Sequence, residues 1–512
     1  MGYKEIQIKL PTGYAPEELK KKISDHFKIK DFSFQIINKS LDARKKGSIH
    51  WLIRVGVNSV HIKDGINKEY AGIDINYKKR NKKVLVVGSG PSGFFAAYLL
   101  QLSGFETIII ERGSEVNLRA QGIRNFEKNG IFDSKRNYAF GEGGAGTFSD
   151  GKLTSRSKHI STEREFIISN YIKAGAPEEI AYLAHPHIGS DHLRVVVQNL
   201  RKAYVGAGGK IFFETMLTDL EISQGKVKSG ITDQKCFVAD FFILATGHSS
   251  FETYKMLIEK GINFRTKNFA LGSRAEHMQE MINQAQWGIG KLQGVKAAEY
   301  RLTSKADGKH QVYTFCMCPG GIVVPATPYA NTSIVNGMSY YKRNGKYANA
   351  ACVTGLHPYE LAGREISAME ALQRLEELEK YFFSITKGYA VPACTIQDFL
   401  KGNQKTDISG SSYPLGTVTL PLWEILPKVV VKSMRRGLEE FCRKIKGYEK
   451  GILLGLESKT SAPIQVIRKE DRSCEDFENL FITGEGSGYA GGIISSAAEG
   501  VKVALNLTGA IY

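Results

Sequence analysis

The pattern of apolar and polar residues changes near residue 84 and divides the chain there. Before that point apolar and polar positions alternate, as expected for half-buried strands, apart from one helix that opens with a proline and acidic residues. The predicted elements are a strand at 5–10, a helix from Pro16, and strands at 34–37 and 49–57. This order predicts a small N-terminal βαββ domain, assigned to residues 1–78 and followed by a lysine-rich linker.

After residue 84 short, continuously apolar runs replace the alternation, which is typical of strands buried on both faces of a parallel sheet. The predicted elements are strands at 84–87, 107–110, 241–244 and 480–483, helices at 94–100, 191–204 and from about 492, and an antiparallel meander at 211–238. We assign residues 79–262 and 455–512 to one discontinuous Rossmann-like α/β domain. Residues 263–454, which mix strands with helices such as 366–383, are predicted to form an inserted α+β substrate or cap domain.

A glycine fingerprint joins the first strand of this α/β domain to its helix. The predicted phosphate loop consists of Gly88, Gly90, Pro91, Ser92 and Gly93. In such loops the first glycine permits the turn, the second lets the backbone approach a pyrophosphate, and the third allows close helix–strand packing. Glu111 ends the next strand, 18 residues after the last glycine, where an acid is expected to bind the ribose hydroxyls of an adenosine. An acid here disfavours NADP but does not separate NAD from FAD.

A second strand–glycine–helix unit at 480–493 favours FAD over NAD as the bound dinucleotide. It resembles the terminal segment of FAD-binding folds, in which an acid after a glycine binds the ribityl chain and a helix faces the flavin. This resemblance implies cofactor contacts at Gly484, Glu485, Gly492 and Ile493, with Glu485 in the place of the usual Asp. The strand end at Gly247 is also typical of FAD folds.

Further motifs make the resemblance specific. They are Arg112-Gly113 and the segments 141–153, 185–189, 315–321 and 457–463. Together they resemble a family of bacterial FAD-dependent dehydrogenases, sometimes labelled NAD(FAD)-utilising dehydrogenases, over nearly the whole chain. The resemblance implies an FAD-binding fold related to geranylgeranyl-reductase-like flavoproteins, and it implies a cofactor contact at Arg112. It says little about the substrate.

The glycine-rich segment 141–153 has small residues that allow its backbone to lie against a cofactor and donate N–H groups. The predicted contacts are Gly143, Gly144, Gly146, Ser149 and Gly151. Lys152 is expected to place positive charge near the phosphates or the reduced flavin, and it is a candidate catalytic residue. The alternative is a glycine-rich surface loop without a ligand.

Other candidate groups carry weaker signals. His185 and His187 flank a proline, so both rings could point to one side of an extended segment and act as acids, although core or capping roles are favoured. Cys316 and Cys318 lie two positions apart on a predicted strand, and structural packing of both thiols is favoured. We predict no metal site, because no other Cys or His is spaced to complete one.

Composition narrows the class of protein. The 512 residues carry a net charge of +17, of which residues 1–83 contribute 19 − 9 = +10. This basic segment supports an alternative, an RNA-binding or RNA-modifying flavoprotein, but it lacks aromatic or glycine clamps and a solvated basic face is favoured. The seven scattered cysteines and the absence of a signal peptide or membrane-length apolar run predict a cytoplasmic protein.

These observations predict an FAD-dependent oxidoreductase, a reductase or dehydrogenase. Its small-molecule substrate would enter between residues 263–454 and the flavin. A second dinucleotide fingerprint is absent from the sequence, so NAD(P)H is expected to visit only transiently as an electron donor. A non-catalytic FAD-binding protein is a further alternative. The sequence does not indicate the oligomeric state.

Overall fold

The structure, a computed structural model, describes residues 2–63, 65, 72–155, 157–408 and 410–509. The N-terminal elements are β1 (Gly2–Pro11), α1 (Pro16–Phe27), β2 (Ser33–Asp42) and β3 (His50–Ser59). The strands form an antiparallel sheet in the order β1-β3-β2. Helix α1 buries Leu19 and Ile23 in a core with Ile8 and Ile53. The expected βαββ order is therefore present.

The next stretch contains the glycine fingerprint and most of a parallel sheet. Its elements are β4 (Lys83–Val87), α2 (Pro91–Leu102), β5 (Glu106–Ile110), α3 (Val116–Asn129), α4 (Ser161–Lys173), α5 (Ser190–Gly206), β6 (Lys210–Phe212), β7 (Leu217–Ser223), β8 (Lys226–Thr232), β9 (Cys236–Val238), β10 (Phe241–Leu244) and α6 (Phe251–Glu259). The predicted meander is confirmed for β7, β8 and β9 only, because β6 joins the parallel sheet beside β5.

The remaining elements build the cap and return to the parallel sheet. They are β11 (Phe264–Thr266), β12 (Phe269–Met278), α7 (Gln279–Trp287), β13 (Thr303–Ser304), β14 (Val312–Pro325), β15 (Val335–Met338), β16 (Tyr347–Leu356), α8 (Pro358–Ala362), α9 (Ala368–Thr386), β17 (Val391–Thr395), α10 (Ile396–Lys401), β18 (Thr417–Thr419), α11 (Leu422–Ile425), α12 (Lys428–Lys444), β19 (Ile452–Glu457), β20 (Ile464–Val466), β21 (Leu480–Ile482) and α13 (Ile493–Thr508).

The parallel sheet has the order β21-β10-β4-β5-β6, with β4 at its centre and β21, from the returning chain, at one edge beside β10. Central β4 is buried apart from its first residue, which explains its continuous apolar run. Helices α2 and α13 pack against each other on one face, where Gly500 of α13 lies against the backbone of Ser92. This mixed α/β arrangement confirms the predicted Rossmann-like fold class.

The cap sheet has the order β13-β14-β16-β12-β19-β17-β18, with β15 also paired to β14. The predicted boundary at 454/455 falls inside β19, and the two-stranded pair β11–β20 also links the cap to the returning chain. The two predicted domains therefore share strands at their junction. The chamber described below lies between them.

The N-terminal domain docks on the segment that carries the candidate histidines. Lys39 of β2 forms a parallel bridge with Leu183, in which the Lys39 amide donates to Tyr182 and the Ala184 amide donates to Lys39. Within the described ranges, no helix is long and apolar enough to cross a membrane.

Candidate functional site

A chamber opens where the carboxyl ends of β4 and β10 meet the glycine segments and the edge of the cap sheet. Its walls include the following predicted residues: Gly88, Gly90, Pro91, Ser92, Glu111, Arg112, Gly144, Gly146, Ser149, Gly151, Lys152, Gly247, Gly484, Glu485, Gly492 and Ile493. Segments separated by almost 400 residues thus converge on one cavity. This is the edge at which open α/β sheets bind ligands.

The three fingerprint glycines have different surroundings. A side chain at Gly88 would lie 2.4 Å from the Ala245 carbonyl oxygen, and one at Gly93 would lie 2.0 Å from the Gly88 oxygen, so both positions serve packing. Gly93 accordingly does not line the chamber. At Gly90 the nearest atom to an added Cβ would be the Gly144 Cα at 3.6 Å, an ordinary van der Waals distance, so packing within the protein does not require glycine there. Gly90 thus faces the chamber, as a phosphate loop requires.

Two helices begin at the chamber with uncapped N-termini. Helix α2 starts after Gly90 and α13 starts after Gly492, and neither N-cap residue provides a side-chain hydrogen bond. The first N–H groups of a helix lack internal partners and carry the positive end of its dipole. Both termini therefore favour an anionic or electron-rich ligand in the chamber.

The Glu111 carboxylate already accepts four hydrogen bonds within the protein. Its donors are the Ser89 amide and hydroxyl, at 2.9 and 2.8 Å, and the Gly113 and Gly141 amides, at 2.9 and 3.0 Å. Glu111 thereby ties three loops of the chamber together. Its predicted contact with ribose hydroxyls requires a ligand to share or replace one of these donors, because a carboxylate offers about four acceptor sites.

Arg119, which sequence reasoning missed, holds the glycine segment from behind. This fully buried guanidinium donates to carbonyl groups on both sides of the loop, among them Gly144 at 2.8 Å and Tyr138 at 2.7 Å. Burial lowers its pKa to about 10, although the charges of Glu111 and Glu142 oppose that shift. In the sequence, nothing about an arginine within the helical pattern of α3 indicates that it supports the glycine segment.

Gly143 was predicted as a cofactor contact, but it faces a small neighbouring cavity instead of the chamber. Its φ is +80°, and a side chain there would lie 2.2 Å from Thr147 Oγ1. The turn of the loop therefore explains why residue 143 is a glycine.

Glu485 pairs with His248, another residue that the sequence analysis missed. His248 Nδ1 lies 2.9 Å from Glu485 Oε2, and the Gly492 amide donates to the other carboxylate oxygen. Burial would raise the pKa of Glu485, but the hydrogen bond and charge of His248 bring it below its usual value. His248 Nε2 is buried without a hydrogen-bond partner among the described residues, so it is free for a ligand.

Lys152 lies in the chamber wall within a network of buried charges. Its ammonium donates to the Met317 carbonyl and lies 3.5 Å from Glu299. Asp150, also in the wall, forms a two-point ion pair with buried Arg343. Burial would raise the pKa of Asp150, but Arg343 and Lys152 hold it at about 2. The wall therefore carries the fixed Asp150–Arg343 ion pair beside Lys152, whose positive charge is partly neutralised by Glu299.

The two candidate histidines have different surroundings, and a shared side for their rings stays a prediction. The side chain of His185 is 69% exposed and approaches Glu299 at 3.4 Å. His187 is buried, donates from Nε2 to the Tyr341 carbonyl at 3.1 Å, and has its pKa lowered to about 4 by burial. Neither ring is among the described residues that line the chamber.

The cap contributes a small part of the wall, through Cys316, Cys318, Asn336 and Gly337. Cys318 is buried as expected, but Cys316 is exposed to the chamber, so the packing interpretation is wrong for this thiol. Buried Arg274 holds this edge, donating to the Cys316 carbonyl at 2.7 Å and to Asn336 at 3.0 Å, and it is paired with Glu457 at 2.8 Å.

Other lining residues have no motif that would have revealed them. The loop after β6 supplies Thr215 and Met216, the start of β7 supplies Leu217, and the segment before the glycine loop supplies Ala139 and Phe140. The Arg112 guanidinium lies 3.9 Å from the centre of the Phe140 ring and pairs with Glu252. These contacts arise from tertiary packing and leave no local periodicity.

The residues that line the chamber are suited to bind a flavin dinucleotide. The chamber offers an open backbone at Gly90, two uncapped helix termini, and an unpartnered His248 nitrogen beside a carboxylate. Among the described residues, no group of three or more Cys, His, Asp or Glu side chains is placed to hold a metal ion.

Comparisons with known families agree with this fit. An FAD binding domain family matches residues 81–251, and a family described as FAD-dependent protein, C-terminal domain-like, matches residues 268–460. A domain family of unknown function, DUF8436, matches residues 3–58. Together with the chamber, these matches show that the chain is an FAD-dependent protein with FAD as its cofactor.

Among individual proteins, an uncharacterized protein of Clostridium beijerinckii is 38% identical over 489 residues, covering 92% of this chain and 91% of its own length. The chain belongs to the same family as this clostridial protein.

Solved structures resemble the chain more distantly. They include glycine oxidase from Bacillus cereus, with 11% identity, a TM-score of 0.35, and coverage of 84% of this chain and 96% of the oxidase. They also include L-proline dehydrogenase from P. horikoshii, with 12% identity, a TM-score of 0.35, and coverage of 85% and 95%.

Proposed function

We propose that this protein is a reductase or dehydrogenase whose small-molecule substrate meets the flavin between the glycine segments and the cap. The observation that carries the proposal is the shared chamber. Its nucleotide side is built of glycines and helix termini, whereas its cap side presents Cys316, Cys318 and Asn336. FAD when bound supplies two-electron exchange, and the protein orients the reactants and adjusts charge.

We assign the cofactor contacts by chemistry. Gly90, Ser92 and the start of α2 suit the pyrophosphate, because unpaired N–H groups and the helix dipole favour phosphate oxygens. Arg112 and Glu111 line the same chamber and suit the adenosine half. Glu485 and His248 provide an acceptor and a free ring nitrogen for the ribityl hydroxyls.

Lys152 is the residue that we assign to charge at the reacting end. Its Nζ is held by the Met317 carbonyl and partly neutralised by Glu299. A fixed ammonium favours an added negative charge nearby, so Lys152 would stabilise a reduced, anionic ring. Glu299 in turn lies beside exposed His185, which gives this corner a contact with solvent and a route for protons.

We propose NAD(P)H as a transient electron donor, because a second dinucleotide fingerprint is missing from the sequence. The test is anaerobic mixing of the holoprotein with NADH and, separately, NADPH while the flavin absorbance is followed. We expect reduction that does not saturate at micromolar donor concentrations. Failure of both donors, with dithionite still reducing the flavin, would contradict this assignment and leave the oxidoreductase class intact.

The alternative of an RNA-binding flavoprotein is not favoured, because the basic N-terminal segment lacks the aromatic or glycine clamps that are typical of RNA-binding domains. Kinship with geranylgeranyl-reductase-like flavoproteins stays a prediction, as does the cytoplasmic location. Salt-dependent retention of the holoprotein on RNA would revive the first alternative.

A further inference from the structure

Strand β14 of the cap carries a bulge where it faces the chamber. Its pairing with β16 loses register between Phe315 and Cys318, so Cys316 and Met317 lie outside the regular ladder. Cys316 has a φ of +43°, in the left-handed region that residues with side chains rarely adopt. Such strain persists only where surrounding contacts impose it, and it is concentrated at functional sites.

Contacts on both sides hold the bulge in this shape. Arg274 Nη2 donates to the Cys316 carbonyl at 2.7 Å, and Lys152 Nζ donates to the Met317 carbonyl. The Met317 side chain is buried in the hydrophobic core of the cap. Consequently both neighbouring cysteines, Cys316 and Cys318, line the chamber.

These two thiols are the only titratable groups among the described cap residues that line the chamber, since Asn336 and Gly337 do not titrate. The remaining cysteines of the chain do not line it: Cys236, Cys352, Cys394, Cys442 and Cys474. If a substrate or electron acceptor approaches the flavin from the cap side, these two thiols are therefore the reactive groups that it would contact.

We propose that Cys316 and Cys318 form a redox-active pair that closes to an intramolecular disulfide, with oxidised FAD as the electron acceptor. Both S–H bonds break, one S–S bond forms, and two electrons and two protons pass to FAD, which becomes reduced FAD. In the reverse direction reduced FAD returns two electrons and two protons and opens the disulfide. The proposal rests on the proposed function for its cofactor.

The geometry of the bulge suits this closure. Residues two apart on a regular strand are separated by roughly 6.7 Å, at the upper limit of the Cα spacing found in disulfides. The bulge departs from that regular geometry at Cys316, where φ is +43°. Cys318 Sγ lies 3.3 Å from the Cys316 carbonyl oxygen, so it folds back against the backbone of its partner residue.

The electrostatic setting slows the exchange of this pair with disulfides in solution. Although Cys316 is open to the chamber, the protein around it shields it from bulk water and raises its pKa to about 12, and burial raises the pKa of Cys318 although Arg274 opposes that shift. Both thiols are therefore protonated at neutral pH. Since the thiolate is the form that attacks external disulfides, the pair reacts slowly with small disulfides in solution.

The test is an anaerobic dithionite titration of the air-oxidised holoprotein, followed by flavin absorbance. The wild type should take up four electrons per FAD, two for the disulfide and two for the flavin. Cys316→Ser and Cys318→Ser should each take up two. Cys442→Ser, which changes a half-buried cysteine on α12, should keep four.

A second readout needs no variant. After oxidation and denaturation without reductant, five of the seven cysteines should be alkylated, and the peptide that contains residues 316–318 should be two mass units lighter. Uptake of two electrons by the wild type, with all seven cysteines alkylated, would overturn the pair while leaving the FAD assignment standing. A chain that binds no FAD would overturn the proposed function and the pair together.

Discussion

The two walls of the chamber differ in how they are built. On the nucleotide-binding side, glycines and helix termini present backbone N–H groups, with Glu111 and Arg119 tying the loops together from behind. On the cap side a few side chains from β14 and β15 reach the cavity, held by buried Arg274. Backbone groups recognise what flavin nucleotides share, whereas side chains can vary with the substrate. The first wall therefore suits the phosphates and hydroxyls of a nucleotide, and we propose that the second wall selects the substrate.

The largest effect is expected from filling the backbone wall. Gly90→Val should abolish FAD binding, lowering affinity at least about 1000-fold, or about 4 kcal/mol, because a side chain would occupy the approach to the phosphates. The fold should survive, since Gly90 has extended dihedral angles and an added Cβ would come no closer than 3.6 Å to a neighbouring atom. The readout is FAD content together with circular dichroism.

Gly388→Val provides the control for this change, because the space around Gly388 is also open and the residue lies far from the glycine loops in sequence. It should keep full FAD occupancy. Normal occupancy in Gly90→Val would refute the assignment of the backbone wall.

Removing the support behind that wall should have the next largest effect. Arg119→Met leaves several buried carbonyl groups without a donor, so we expect a loss of about 3–4 kcal/mol in the free energy of unfolding. Exposed Arg124 on the same helix is the matched control, and Arg124→Met should cost less than about 0.5 kcal/mol. Equal urea midpoints for the two variants would show that the glycine segment keeps its conformation without the hydrogen bonds from Arg119.

A buried histidine in each region allows a comparison by pH. Burial lowers the pKa of His187, beside the nucleotide-binding side, and of His277, in the cap, to about 4. Below pH 6.5 the unfolded chain takes up protons that the folded chain refuses, so stability falls as pH drops from 6.5 to 4. Each histidine should contribute about 3 kcal/mol to this fall.

Replacing either histidine by Gln should reduce the loss of stability between pH 6.5 and 4 by about 3 kcal/mol. The double variant should reduce it by the sum of the two contributions. Urea unfolding at several pH values between 4 and 7 measures this slope. A curve that stays parallel to the wild type in one variant would show that its histidine is protonated in the folded protein.

The smallest effect is expected at the junction of the two walls. Lys152→Met should lower the flavin reduction potential, because it removes a positive charge from the chamber, but Glu299 limits the change to about 30 mV or about 1.4 kcal/mol. Lys296→Met, which breaks an ion pair with Glu179 outside the chamber, is the control. Dye equilibration measures both potentials, and identical shifts would remove Lys152 from its assigned role.

The same contrast explains what the sequence could and could not predict. Four strands of the parallel sheet (β4, β5, β10 and β21), the helices α2 and α13 and most glycine contacts follow from local signals, because a strand–glycine–helix unit is defined by neighbouring residues. His248 stood next to a predicted residue, Gly247, and could have been included. Arg119 and the bulge at Cys316 could not be predicted, since their roles come from partners far away in sequence.

The most direct test of the account is to identify and count the nucleotide that the wild-type chain carries. Denaturation of the purified protein, followed by chromatography and mass spectrometry, releases and identifies the cofactor. Since strands and loops from both ends of the chain form one chamber, we expect one FAD per chain, directly or after reconstitution. Recovery of FMN, of NAD alone, or of no nucleotide after reconstitution with FAD would contradict the central claim.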